Sequence, residues 1–147
     1  MRETRIIQAS LFDNYSKHEL GLRLKALSDL LDNHPEFLTI LESDLIDPSV
    51  KKVGRNGLSV ESIFRCLLLK QQLRISYEQL FFHLSDSILY RTFTRLPYHI
   101  SPNSSGLQST IRNIKPKTLE TIFNILSTAI LLRAKSHSQT GIRPRGF

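Results

Sequence analysis

The chain has 147 residues, 40% hydrophobic and 22% charged, with a single cysteine and a net charge of +7. That size and balance fit one domain with a real core, or two small helical lobes, and exclude wholesale disorder. A lone Cys66 excludes a disulfide framework and any cysteine-based zinc site, and no apolar run approaches the roughly 20 residues of a membrane helix.

Residues 1–15 show no helical periodicity and read as an extended lead-in. Ser16 and Glu19 form an S-x-x-E capping box, which satisfies the free amides of a helix start. Behind it Leu20, Leu24, Leu27 and Leu31 recur at helical spacing, predicting an amphipathic helix to about Asp32. Asn33-His34-Pro35 stops that helix, and Pro35 suits the first turn of the next. Phe37, Leu38, Leu41 and Leu45 mark a second, short helix ending before Asp47-Pro48. The pair, residues 16–47, is expected to form an acidic antiparallel hairpin.

Residues 48–57 (PSVKKVGRNG) read as a linker. The charge changes sign there. Residues 1–50 carry five Lys/Arg against nine Asp/Glu, a net of −4, while residues 51–147 carry fifteen against four, a net of +11. Such asymmetry predicts an acidic lobe and a basic lobe whose partner is a polyanion, with nucleic acid favoured.

The basic lobe is expected over residues 58–134. Ser59 caps a helix to about Leu73 that is apolar around most of its circumference, so it belongs at the centre of a bundle, with Cys66 as a buried structural thiol. Ser76 and Gln79 form a second capping box, followed by a buried stripe of Leu80, Phe81 and Leu84. Ser85 or Asp86 is expected to cap the next helix, with Ile88, Leu89 and Phe93 inward and Arg91 and Arg95 outward. After a loop over residues 96–102, Asn103 or Ser104 caps a short helix despite Gly106. Lys115-Pro116 restarts the chain into the longest amphipathic helix, Leu119 to about Ala134, whose stripe from Leu119 to Ile130 is expected to form an exposed apolar patch. Residues 135–147 have no pattern and read as a disordered basic tail. No segment alternates with period two, so the fold class is all-α.

Two elements could read DNA. Residues 75–93 have the layout of a helix-turn-helix unit, with Ser87, Tyr90, Arg91 and Arg95 offered by its second helix. The short helix after Pro102 carries Asn103, Ser104, Gln108 and Arg112, which suit phosphates through its capped start and base edges through Gln108 and Arg112. Lys115 and Lys117 follow as sequence-independent phosphate contacts. No catalytic or metal site is expected: Glu61, Glu78, Asp86 and Glu120 each have a helix-start explanation, and the five histidines show no ligand spacing.

These residues resemble a known family. Gly57, Glu61, Arg65, Leu67, Leu68, Leu69 and Lys70 follow the pattern G-x-x-x-E-x-x-x-R-x-L-L-L-K. Ser76 and Leu80, then Leu84, Asp86, Ser87, Arg91 and Phe93, follow S-x-x-x-L…L-x-D-S-x-x-x-R-x-F. Both patterns are similar to the InsH-type N-terminal domain of bacterial insertion-sequence DDE transposases, and the likeness covers about residues 10–130. It implies a helical domain that binds double-stranded DNA at the element's terminal repeats and helps to pair subunits, either homo-oligomeric or with intact transposase. In full-length relatives an RNase H-like domain with an Asp-Asp-Glu metal site follows. The chain is expected to stop where that domain begins, to need no cofactor of its own, and to reside in the cytoplasm. The competing expectation is a helical interaction or oligomerisation module that modulates intact transposase.

Overall fold

The computed structural model describes residues 19–46, 58–97 and 103–140, the last five as backbone only. The Ser16 cap, the linker at 48–57, the lead-in and residues 141–147 lie outside the described residues. Every regular element among the described residues is a helix, as the periodicity predicts.

The caps expected from the sequence set most boundaries. α1 spans Glu19–Asn33 and α2 spans Glu36–Leu45, with Pro35 at the turn between them in helical conformation (φ −65°). α3, Val60–Leu73, begins at Ser59, whose Oγ accepts the Ser62 amide at 3.1 Å. α4, Tyr77–Asp86, opens with the full Ser76/Gln79 capping box. α5, Ile88–Thr94, differs from expectation: its cap is Ser87, which accepts the Tyr90 amide and also closes α4. Ser85 and Asp86 cannot cap it because α4 runs through both, and the Ser85 hydroxyl donates back to Phe81 O within that helix.

α6, Ser104–Ile111, is capped by Asn103, whose side-chain oxygen accepts the Gly106 amide. A Cβ at Gly106 would stand 2.8 Å from that oxygen, so the glycine makes room for the cap. α7, Pro116–Thr140, starts with proline at its first position, where no amide bond is lost. It runs six residues beyond Ala134, so the start of the expected patternless tail is helical.

α3 is the central helix, packed by α2, α4, α5 and α6. Its residues Ser62 to Leu69 are buried without a break, and Cys66 among them is fully inaccessible. Burial pushes the Cys66 thiol up to about 12, so it stays protonated and unreactive at neutral pH. Phe64 joins three helices, with its ring 5.1 Å from Phe37 of α2 and 6.5 Å from Phe123 of α7. α1 lies against α5 and α7, and α2 against α3 and α7. Leu24, Leu31, Phe37 and Leu41 of the acidic segment therefore belong to the same core as Leu69, Leu80, Phe93 and Ile122 of the basic one.

One charge lies at the heart of this packing. The Arg65 side chain has no exposed surface, yet its guanidinium has four acceptors. Nε donates to Glu61 at 3.0 Å, Nη1 to Ser28 Oγ at 2.8 Å and to Phe93 O at 3.0 Å, and Nη2 to Asp32 at 3.2 Å. Arg95 closes the set with bonds of 2.8 Å to the same two carboxylates, Glu61 and Asp32. Burial and the neighbouring Arg95 pull the Arg65 guanidinium below its ordinary value, while Glu61 and Asp32 oppose the shift. An arginine remains charged in any case.

Removing one partner from such a set leaves the others desolvated without compensation. Arg65→Ala is expected to lower unfolding free energy by about 3 kcal/mol, read from urea denaturation. Arg65→Lys should recover only part of that loss, because an ammonium cannot reproduce the planar fork. A loss below about 1 kcal/mol, the range of exposed pairs, would show that the cluster does not constrain the fold.

Candidate nucleic-acid interface

The ten side chains expected to face DNA fall into two groups once placed. The first group is committed to the protein itself. Arg91, expected outward, is half-buried and donates to Leu84 O at 3.3 Å and Pro97 O at 2.6 Å, bracing the end of α4 and the chain after α5. Arg95, also expected outward, turns onto Glu61 and Asp32 from a left-handed backbone position, φ 56°. Ser87 and Asn103 are occupied as helix caps. Tyr90 is half-buried, its ring edge-on to His83 at 5.6 Å. Both arginines turn inward because the short α5 lies against α1 and α3, leaving its cations carbonyls and carboxylates within reach.

In the second group Arg112, Lys115 and Lys117 are exposed, while Ser104 and Gln108 are half-buried. On α6 the buried residues are Leu107 and Ile111, four apart on one face. Gln108 and Arg112 lie on the flank and outer face, with Ser105 and Ser109 completing the turn, so polar groups recur at helical spacing. Arg112 is exposed, as are Lys115 and Lys117 at the start of α7, and Ser104 is half-buried in the first turn of α6. The α6–α7 corner thus gathers three exposed cations and an amide within ten residues of chain.

One acid reaches this corner. Asp44 of α2 accepts the Lys115 amide at 3.0 Å, and the Lys115 ammonium stands 3.9 Å away. The carboxylate occupies the α7 N-terminus, where a helix favours negative charge. The Thr118 side chain, then the Lys115 amide, hold its carboxyl below the ordinary aspartate value. Sequence reading missed this contact, and Asp44 alone gave no signal for it. It also missed the burial of Arg65, although a cation at spacing E-x-x-x-R within the most apolar stretch of that helix was a visible sign.

Among the described residues no three His, Cys, Asp or Glu side chains gather as a metal site requires, and no helix is long and apolar enough to cross a membrane. The exposed apolar stripe expected along α7 is largely covered. Ile122 and Leu126 are buried, Leu119 and Phe123 half-buried, and only Ile130 and its followers Leu131 and Leu132 stand out.

Fold and surface together define an all-helical domain built around a buried arginine, with one basic corner. Residues 12–113, spanning α1 through α6, match the family described as Transposase domain (DUF772), and the chain belongs to that family. No curated protein and no solved structure matches it.

The lowered Asp44 carboxyl has a consequence for pH. A group depressed in the folded state stabilises it fully above the ordinary aspartate value, and that contribution is lost as pH falls through the folded value. Asp44→Asn keeps an acceptor for the Lys115 amide but loses the charge. Its urea midpoint should lie slightly below wild type at neutral pH, and the two should converge as the solution is acidified. Parallel curves at every pH would remove Asp44 from the stability of the α2–α7 junction.

Proposed function

We propose that this chain binds double-stranded DNA as the InsH-type N-terminal part of a transposase, recognising the element's terminal repeats without carrying catalysis itself. The observation that supports it best is the α6–α7 corner, where Arg112, Lys115 and Lys117 are exposed at the C-terminal end of α6 and the start of α7, with Gln108 half-buried one turn before. Membership of a transposase family supplies the context.

In this reading α6 is the helix that enters the groove, with Gln108 and Arg112 testing base edges. Lys115, Lys117 and Ser104 hold phosphates and fix the register without reading sequence. The helix-turn-helix-like unit contributes α4 to the scaffold that positions α6, since α6 packs on both α3 and α4. Ser87, Tyr90, Arg91, Arg95 and Asn103 then serve recognition indirectly, by holding α5 and the start of α6 in place.

A second reading, a helical interaction module acting on intact transposase, is favoured by the three consecutive exposed apolar residues Ile130, Leu131 and Leu132.

Fluorescence anisotropy over a salt series, with the repeats flanking the gene and a shuffled duplex as probes, tests the first reading. Arg112→Ala should cost roughly 1–3 kcal/mol on the repeats and narrow the gap to the shuffled duplex. Lys117→Ala should weaken both and reduce the salt slope by about one unit. Equal binding to both duplexes, unchanged by either substitution, would defeat it.

A further inference from the structure

α6 packs mainly on α3 and α4, while α7 packs on α1 and α2. The two helices of the basic corner are therefore supported separately, and the turn over residues 112–115 sets one against the other. Ile114 is the apolar anchor of that turn, buried to 4% exposure. Apolar burial has no direction; a hydrogen bond does. The directional anchor falls on the next residue, Lys115, and it comes from Asp44.

Asp44 stands in the last turn of α2, where a carboxylate meets the negative end of its own helix dipole. Its side chain is nevertheless almost inaccessible (3% exposed) and is turned to the start of α7, 71 residues away. In a capping box the N-cap amide is taken by a Glu or Gln at the third helical position. Thr118 holds that position in α7, and Lys115 has no side-chain acceptor of its own. Asp44 supplies the missing acceptor from α2. Its Oδ2 takes the Lys115 amide at 3.0 Å, and the Thr118 side chain bonds to the same carboxylate. The Lys115 ammonium, 3.9 Å from Oδ1, stays 77% exposed. The lysine's backbone is held while its charge remains at the surface.

We infer that Asp44 is a positioning residue for DNA recognition, fixing Lys115 and Lys117 in one setting relative to Arg112. The inference rests on the reading of this corner as a DNA-binding surface. Phosphate contacts set the register and base contacts read it, so Arg112 tests the right base only while the lysines hold the backbone at a fixed offset. By charge alone Asp44 is a liability there, since an acid beside phosphate-binding cations weakens their attraction to DNA. The two effects have opposite signs, and substitution separates them.

The full chain and three variants are titrated by anisotropy against the repeats flanking the gene and a shuffled duplex, at a temperature where circular dichroism shows each folded. Asp44→Ala removes both the acceptor and the charge. It should reduce the preference for the repeats by about fivefold or more, the lower range for one lost base contact, without weakening binding to the shuffled duplex. Asp44→Asn removes the charge but keeps an acceptor for the Lys115 amide. It should retain the preference and bind both duplexes more tightly. Glu42→Ala removes an exposed acid from the same helix and should leave the preference unchanged. Without DNA, hydrogen exchange of the Lys115 amide should be faster in Asp44→Ala than in wild type, and close to wild type in Asp44→Asn. A purely structural part for Asp44 would lower the melting temperature of Asp44→Ala yet leave the preference of the folded protein intact, and that result overturns this inference alone. So does an equal loss of preference in Asp44→Asn, which would assign the effect to charge, and so does unchanged exchange at Lys115 in Asp44→Ala. A wild type that binds both duplexes equally defeats the DNA reading of the corner and this inference with it.

Discussion

A guanidinium with no access to water must find its hydrogen bonds inside the protein, and Arg65 finds them on three helices. Ser28 and Asp32 stand four apart on α1, so one face of that helix is fixed toward α3. Glu61 and Arg65 stand four apart on α3 itself. Phe93 O and Arg95 place the last turn of α5. The set is neutral, two cations against two carboxylates, and the side of Arg65 also lies 5.4 Å from the centre of the Phe93 ring. The cluster fixes the setting of α1, because Ser28 and Asp32 must both stay within hydrogen-bond reach of a guanidinium that cannot turn to water. Such a role in specifying one arrangement, rather than in adding net stability, is the best-attested use of buried ion pairs.

The same cluster explains a backbone cost. Arg95 closes α5 in the left-handed region, which costs a residue with a Cβ roughly 1–2 kcal/mol. Its carbonyl accepts the Ser62 hydroxyl at 3.2 Å, and its guanidinium spans Glu61 and Asp32. The conformation is held from both ends of the residue. Arg74, the other left-handed arginine, ends α3 with its amide on Lys70 O and no comparable set of partners. The two positions look alike in sequence and differ entirely in what they hold.

Local signals were legible and long-range ones were not. Ser59, Ser76 with Gln79, and Asn103 act through atoms three residues away, and each was read correctly as a cap or cap candidate. Ser87, expected at DNA, instead caps α5, because α4 runs on through Ser85 and Asp86, the two caps expected there. The inward turn of Arg91 and Arg95 depends on carbonyls and carboxylates that only the fold brings near; Asp32 lies 63 residues from Arg95. Charge counted along the chain predicted two lobes of opposite sign. Yet Asp32–Arg95 and Asp44–Lys115 join residues from both sides of that division, so part of the asymmetry is used in holding the bundle together. A net charge counts cations without saying which are already engaged.

That distinction decides what α7 can offer. Its first half is anchored: Asp44 sits at its start, and Ile122, Phe123 and Leu126 pack into the core. Its second half, from Ser127 to Lys135, is exposed at every residue except the half-buried Ala129. Lys117 and Ile130 are thirteen residues apart on one continuous helix, about 20 Å at 1.5 Å per residue. Substitutions that far apart without shared partners act additively, so the basic corner and the exposed apolar residues at Ile130 can be altered one at a time. Coupling between them would have to travel through the anchored segment, whose contacts with Phe64 and α2 also position α3. That segment is tied to the central helix through the Phe64 and Phe123 rings, 6.5 Å apart, on the same helix that carries the buried guanidinium.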